Sequence, residues 1–238
     1  MKNIKNRKLL AKGIITWVFA ILNALMLKLK IIPIIGTNNF FPAANGFGPS
    51  IGGIIGSKFG PIAIILSVLL KSNFKIQGGA LLVLLRRLGL PMALASFYFG
   101  MINSNKKTRF LATLIPIMAI FAFFIHPIGR EVWYFSLFWL IPIIVVFLPQ
   151  KLKIPSMALG ATFVDHAIGS VLYLYTMNIP AEAWISAIPQ VMRERLSFGI
   201  GILLSYFILK TLLIQLDKLL SKFKIEIKEF FEVYETDF

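Results

Sequence analysis

The sequence contains no cysteine and only two histidines among its 238 residues. The missing thiols exclude disulfide bonds, thiolate catalysis and cysteine-ligated metal sites. The histidines, His126 and His166, lie far apart in the chain and lack the spacing of a metal-binding pair. We therefore expect the protein to need no metal ion or other cofactor.

Acidic residues are also scarce, with 10 Asp and Glu against 25 Lys and Arg and a formal net charge of +15. An excess of this size raises the possibility of a nucleic-acid partner. However, the basic residues cluster in short segments between apolar blocks, which is the charge pattern of membrane-protein loops. Because no soluble basic face remains, we predict that nucleic acid is not a partner.

Hydrophobic residues make up 58% of the chain and occur in long blocks that carry almost no charge. About 20 apolar residues in a helix span a bilayer core, and these blocks are too long for barrel strands. The sequence therefore predicts an all-α, polytopic transmembrane helix bundle in contact with lipid. The candidate spans are 13–30, 46–70, 79–101, 109–127, 131–149, 156–176 and 189–213.

The loop charges predict six crossings with both termini in the cytoplasm. Basic residues mark the N-terminal arm, the tail and the loops 71–77, 103–109 and 150–154, and the positive-inside rule places all five on the cytoplasmic side. All five segments can lie on that side only if segment 79–101, which contains Arg86 and Arg87, enters and leaves the membrane on the same side or lies in the interface. If that segment crosses, the bundle has seven spans.

This topology divides the chain into two parts. Residues 1–214 are expected to form the transmembrane bundle, with loops 31–45, 127–131 and 177–188 outside. Residues 215–238 repeat apolar side chains at helical spacing and are predicted to form an amphipathic cytoplasmic tail. A solvated end of the last helix is the alternative.

Two stripes of small residues recur at helical spacing. Gly48, Gly52, Gly56 and Gly60 follow one another every four residues in span 46–70, and Thr16, Ala20 and Ala24 do so in the first span. Small residues let helices approach closely in lipid. Packing within the protein explains both stripes, and the alanines are also suited to docking a membrane partner.

In their order and spacing, these features resemble the substrate-binding (S) components of energy-coupling factor transporters. Segment 20–24 (AILNA) is similar to the AxxxA stripe by which that family docks on a transmembrane scaffold subunit. Segment 37–49, which ends in NGFGP, is similar to the loop that covers the substrate and to the glycine-rich start of the second helix. The resemblance implies a plasma-membrane protein that binds a vitamin-like small molecule and works with scaffold and ATPase subunits.

Polar residues within or beside the spans are the candidates for function, because charge is costly in lipid. Within the spans, Lys58 and Asp165 can form a structural ion pair or contact a substrate, and His166 is expected to be a hydrogen-bonded packing residue. Ligand-binding candidates lie toward the predicted outer side, under a lid formed by loop 31–45: Asn38, Asn39, Asn45, Arg130, Glu131, Trp184, Glu194 and Arg195. Because the basic groups on that side (Arg130, Arg193 and Arg195) slightly outnumber the acidic ones (Glu131 and Glu194), the expected ligand is polar with at least one anionic group.

The motifs that are absent narrow the function further. The sequence has no GxxxxGK[ST] phosphate loop, so any ATP must be hydrolysed by partner subunits, and no GxSxG or HExxH motif that would indicate an enzyme. The sequence thus predicts a non-enzymatic subunit for ATP-driven uptake. The alternative is a self-sufficient secondary transporter or channel that uses Asp165, Lys58 and Glu194, although no inverted repeat is evident. A structural membrane protein without a ligand is a further alternative.

Overall fold

A computed structural model describes residues 2–33, 40–76, 78–223 and 227–232. The described chain is α-helical apart from one small ribbon of two strands. Its first part contains α1 (Lys2–Met26), β1 (Lys30–Pro33), β2 (Phe40–Pro42), α2 (Ala44–Ile55), α3 (Phe59–Lys71), α4 (Leu81–Arg87) and α5 (Leu90–Gly100).

The second part continues with α6 (Lys106–Ala112), α7 (Leu114–Ile125), α8 (Pro127–Glu131), α9 (Ile141–Ile144), α10 (Lys153–Thr176) and α11 (Ala181–Ser221). Short 3₁₀ turns join these elements at Met101–Asn103, Trp133–Leu140, Val145–Phe147, Gln150–Leu152 and Lys228–Phe230. Predicted span 131–149 is thus a chain of short 3₁₀ and α turns. Two prolines in this stretch, Pro142 and Pro149, contribute to the interruptions, since proline lacks the N–H that a continuous helix needs.

The glycine-rich segment 46–70 forms a helical hairpin, and the prediction of one continuous span is wrong. The helix α2 ends at Ile55, Gly56 has a φ of 97°, and α3 then runs back beside α2. A Cβ atom placed on Gly60 would lie 2.6 Å from the Cα atom of Gly52. Glycine is required at position 60 because the two backbones touch there. It is required at position 52 because a Cβ atom would overlap the carbonyl oxygen of Ser96 in α5.

The hairpin defines two ends of the bundle. At one, which we call the proximal end, Lys12 Nζ lies 3.6 Å from Glu232 Oε1 and 5.3 Å from the ring centroid of Phe59. Further along the same two helices, Asn23 Nδ2 donates to Ser67 Oγ at 2.7 Å, so α1 and α3 run parallel. Both therefore finish at the opposite, distal end.

This direction corrects the predicted topology. Loop 71–77 follows α3 and so lies at the distal end, whereas it was expected on the same side as the N-terminal arm. The error has one cause: the reversal at Gly56 adds a turn that a single span 46–70 would not have.

Segment 79–101 is a bent pair of helices that does not return to its starting side. The helices α4 and α5 meet at an angle of 63°, and Gly89, with a φ of 74°, makes the bend. The paired arginines lie in the last turn of α4, where Arg87 Nη1 donates to the carbonyl oxygen of Gly78 at 2.8 Å. Beyond the bend, the chain reaches the proximal end, where Asn103 Nδ2 donates to the Glu232 carbonyl oxygen at 3.1 Å.

Four helices of the described chain are long and apolar enough to cross a membrane: Leu9–Met26, Lys107–Ile125, Gln150–Thr176 and Ala181–Ser221. The bent pair Leu81–Arg87 and Leu90–Asn103 adds a fifth if it forms one span. These helices identify a multi-pass membrane protein of all-α class, as the sequence predicts. Full-length spans are fewer than the six or seven expected, because segments 46–70 and 131–149 are broken into shorter pieces.

The C-terminal region folds back onto the bundle. The helix α11 runs through the predicted boundary at 214–215 and ends at Ser221. The carboxylate of Asp217 then accepts hydrogen bonds from the backbone N–H groups of Ile227 (2.9 Å) and Lys228 (3.1 Å). This turn carries Glu232 back to Lys12 at the proximal end, so the described part of the tail is docked.

Candidate ligand-binding cavity

A cavity of about 630 Å³ lies in the distal half of the bundle, between α10 and α11. Its volume is within the range of small-molecule sites, about 300–1,000 Å³. The ribbon and α2 contribute Phe41 and Asn45, and α5 contributes Pro91. The remaining walls are formed mainly by Phe135, Asp165, His166, Tyr173, Trp184, Glu194 and Arg195.

A buried charged cluster forms one wall of this cavity. The Arg195 Nη1 atom lies 3.1 Å from Asp165 Oδ2, and Arg195 Nη2 lies 3.6 Å from Glu194 Oε2. The side chains of Arg195 and Glu194 are 5% and 8% exposed, whereas that of Asp165 is 19% exposed. Asp165 is therefore the most accessible charged group of the three.

The ribbon covers this cluster through Phe41. The guanidinium of Arg195 lies 5.7 Å from the ring centroid of Phe41 and 4.9 Å from that of Phe198. The two rings meet edge to face with centroids 5.3 Å apart. The described part of segment 31–45 thus lies over the cavity, where a lid was expected; residues 34–39 are outside the described chain.

Aromatic side chains form another part of the cavity lining. Phe135 lies 5.1 Å from Trp184 and 5.3 Å from His166, measured between ring centroids. The indole N–H of Trp139 donates to Nδ1 of His166 at 3.1 Å. His166 is thus a hydrogen-bonded residue of an aromatic cluster.

Two polar atoms at the cavity have no hydrogen-bond partner within the described part of the chain. They are the indole Nε1 of Trp184 and the Nε of Arg195, and both are buried. Trp184 as a whole is 6% exposed. A buried donor without an acceptor costs free energy, so these two N–H groups are suited to binding a ligand atom.

The structure brings together six of the predicted polar residues. The predicted residues that line this cavity are Asn45, Asp165, His166, Trp184, Glu194 and Arg195. Of the remaining candidates, Asn38 and Asn39 lie outside the described residues.

Three predicted residues lie elsewhere. Lys58 is exposed at the turn between α2 and α3, at the proximal end, so the suggested ion pair with Asp165 is wrong. Its prediction assumed that 46–70 was one helix, which would have placed Lys58 at mid-span. Arg130 and Glu131 are exposed in α8 and do not line the cavity.

The alanine stripe packs within the protein. Ala20 is 0% and Ala24 8% exposed, and Ala20 belongs to the same core cluster as Ala63 and Ile64 of α3. The small side chains let α1 approach α3 closely. The expectation that Ala20 and Ala24 form an exposed docking face is therefore wrong for this conformation.

The cavity also has a different charge balance from the one predicted. Its lining carries two carboxylates, Asp165 and Glu194, and one guanidinium, Arg195. The expected excess of basic groups is absent, because Arg130 and Arg193 do not line the cavity and Asp165 adds a carboxylate to it. Among the described residues, no three His, Asp or Glu side chains approach closely enough to hold a metal ion.

Sequence reasoning missed two kinds of cavity residue. Phe41 falls within the predicted lid, and Phe135 and Tyr173 fall within predicted spans 131–149 and 156–176, but no feature of their local sequence marks them as cavity walls. The pairing of Asp165 with Arg195 had a detectable signal, since each is a charge well inside a predicted span and neighbouring antiparallel spans place such charges together.

Comparison with known proteins does not identify a family. No family model and no solved structure matches the chain. It is similar to uncharacterized protein MJ0923 of Methanocaldococcus jannaschii, with 26% identity over 166 residues, which cover 62% of this chain and 54% of that protein. The chain thus spans about half the length of that relative. The relative's name states no activity, so the argument for function depends on the cavity.

Proposed function

We propose that this chain is a membrane substrate-binding protein that captures a small organic molecule in its distal cavity for ATP-driven uptake. The observation that carries this proposal is the cavity of about 630 Å³ beneath the ribbon, where a charged cluster faces aromatic side chains. Small-molecule sites combine apolar walls with a few oriented polar groups in this way.

The charge distribution supports an orientation with the cavity facing outward. At the proximal end, the basic start of α1 is joined by Lys58, Arg109, Lys153 and Lys218, whereas fewer basic residues lie at the distal end. By the positive-inside rule, the proximal end, where α1 begins and α11 ends, is then cytoplasmic. A cavity in the distal half would receive its ligand from outside the cell.

The ATP-driven part of the proposal has different support. The sequence has no phosphate loop and resembles S components of energy-coupling factor transporters in segments 20–24 and 37–49. A scaffold subunit and ATPase subunits are therefore the proposed partners. Because Ala20 and Ala24 are buried, we assign no residue to the docking surface.

Ligand capture is tested by filling the cavity. Ala187 lines the cavity on α11, so Ala187→Trp should remove bound ligand, detected by native mass spectrometry of protein purified from its own membranes. The matched control is Leu204→Trp, also on α11 but 57% exposed, which should keep the ligand. A wild-type protein that carries no small molecule, or an Ala187→Trp variant that keeps it, would contradict ligand capture in this cavity.

The partner subunits are tested separately by purifying the tagged protein in mild detergent. Co-purification of a membrane protein with ATPase subunits supports ATP-driven uptake. The second candidate is a secondary transporter, which the position of Asp165 and Glu194 at the cavity favours. Ligand flux into vesicles that contain this chain alone would establish that candidate and remove the ATPase from the proposal.

A further inference from the structure

We infer that the ligand of the distal cavity is an organic cation with a planar ring and a hydrogen-bond acceptor. The inference rests on the proposed function, in that the cavity must bind a small molecule. It reverses the expectation of an anionic ligand, and it is drawn from the side chains that line the cavity.

The charge balance of the cluster is the first argument. Asp165 and Glu194 supply two carboxylates, and Arg195 supplies one guanidinium, which remains protonated in proteins. When both carboxylates are ionised, the groups that line the empty cavity carry one excess negative charge, which is unfavourable in a buried setting unless it is paired. The adjacent Arg193 also attracts Glu194, but it is exposed and lies outside the cavity lining. A cationic group of the ligand would neutralise this excess.

The geometry indicates where the cation would bind. Asp165 Oδ2 already accepts from Arg195 Nη1 at 3.1 Å, yet the Asp165 side chain is 19% exposed against 5% for Arg195. The guanidinium itself lies against the rings of Phe41 and Phe198. The accessible charge of the cavity is therefore the carboxylate of Asp165.

The aromatic wall favours a planar cation in particular. Phe135 and Trp184 line the same cavity as the charged cluster, with ring centroids 5.1 Å apart, edge to face. Aromatic faces attract cations as well as planar rings, and desolvation strengthens the attraction to a cation. A ligand with both features would contact both walls of the cavity.

The unpartnered indole N–H supplies the last feature. Trp184 is 6% exposed and its Nε1 has no acceptor among the described residues. Because the indole N–H can only donate, it requires an acceptor on the ligand. That acceptor belongs on the ring, at the Trp184 side, while the cationic group lies toward Asp165.

Three probes that share one scaffold test the charge preference: 2-phenylethylammonium, 2-phenylethanol and 3-phenylpropanoate. Binding to the purified full chain in a neutral detergent is measured by calorimetry. We expect the cation to bind at least about 10-fold more tightly than either other probe, since a close charge pair of moderate burial contributes more than about 1.4 kcal/mol.

Charge variants then test whether the cluster causes the preference. Glu194→Gln should reduce the preference for the cationic probe to within about 3-fold. The double change Asp165→Asn with Glu194→Gln should make 3-phenylpropanoate the tightest probe, because Arg195 is then the sole charged group that lines the cavity. The control Glu182→Gln lies in the exposed first turn of α11, outside the cavity, and should leave the ranking unchanged. If the variants fail to fold by circular dichroism, the wild-type ranking decides alone.

The acceptor is tested with 2-(4-pyridyl)ethylammonium, which differs from 2-phenylethylammonium by one ring nitrogen. The wild-type protein should prefer the pyridyl probe by about 5–10-fold, as expected for one hydrogen bond. Trp184→Phe keeps an aromatic ring but removes the donor, and it should bind the two probes equally.

Each failure has a distinct meaning. If 3-phenylpropanoate binds most tightly, or if the first three probes bind equally, the inference of a cationic ligand is overturned while a ligand-binding cavity remains. If no probe binds and the purified protein carries no small molecule, both the inference and the proposed function fail.

Discussion

Replacing Gly60 by alanine tests the helical hairpin that organises this fold. A Cβ atom at this position would lie 2.6 Å from the Cα atom of Gly52 and 2.6 Å from Oγ of Ser96, where ordinary contact begins at 3.4 Å. The α2 backbone cannot rotate away as a side chain can. The helices α2 and α3 would therefore have to separate by about 0.8 Å.

The expected cost follows from two opposing effects. Overpacking of a close-packed core destabilises by about 1–3 kcal/mol, whereas the better helix propensity of alanine contributes up to about 1 kcal/mol in the other direction. Because the clash is with backbone, we expect a net loss of about 1–2 kcal/mol. The control Gly13→Ala has no atom within 4 Å of the new Cβ and should be stabilised by up to about 1 kcal/mol.

Thermal unfolding followed by circular dichroism in detergent measures the difference. For a chain of this size, 1 kcal/mol corresponds to about 2–4 °C, so the two variants should differ in Tm by about 5–10 °C. If Gly60→Ala and Gly13→Ala raise the Tm by the same amount, the hairpin is refuted. In a continuous helix, positions 52 and 60 would be about 12 Å apart and Gly60→Ala would meet no backbone.

Three further predictions address the ends and the centre of the bundle. Asn23→Cys with Ser67→Cys should form a disulfide on oxidation, since the native side chains are hydrogen-bonded at 2.7 Å. The chain has no other cysteine, so peptide mass spectrometry detects this crosslink directly. No crosslink is expected if 46–70 is one span, because the two residues would then lie near opposite membrane faces. Lys12→Met should cost no more than about 1 kcal/mol, because the ion pair with Glu232 is partly exposed, but trypsin should release the tail faster than in the wild type. Arg195→Met should lower stability by about 3–5 kcal/mol in the same melting assay, because it leaves two carboxylates buried without a guanidinium; a change below 1 kcal/mol would show that the cluster is hydrated.

The sequence predicts the class of this fold well because the signal is local. Helices such as α1, α10 and α11 are long apolar segments, and lipid allows them few alternative structures. Their positions agree with predicted spans 13–30, 156–176 and 189–213, although α1 and α11 extend beyond the predicted limits. Composition and length are sufficient for such elements.

The topology could not be predicted because it depends on one backbone angle. Segment 46–70 has the length and composition of a transmembrane helix, and its glycines at every fourth position fit a helix interface as well as a hairpin. Only the positive φ of Gly56 distinguishes the two, and no pattern in the sequence fixes that angle. Because of the reversal at this point, loop 71–77 lies at the end opposite the predicted one, and Lys58 lies at the proximal end instead of at mid-span.

The candidate ligand site could likewise be predicted only where the signal lies in the local sequence. The candidates Glu194 and Arg195 were found because charge within an apolar helix is costly and therefore conspicuous. Their meaning, however, depends on Asp165, which lies 30 positions from Arg195 and accepts its hydrogen bond. From the sequence alone, Arg195 suggested a binding site for an anionic ligand. In the structure, the carboxylate of Asp165 already pairs with Arg195.

This pairing bears on what the cluster does. A buried ion pair is weak evidence for stability, because apolar side chains of similar volume often stabilise a core as well or better. Here Arg195 already has one carboxylate partner at 3.1 Å, so Glu194 at 3.6 Å is a second carboxylate that pairing alone does not require. An additional buried carboxylate raises the free energy of the empty cavity and lowers it again when a cation binds. We therefore propose that the second carboxylate serves ligand recognition rather than the stability of the fold.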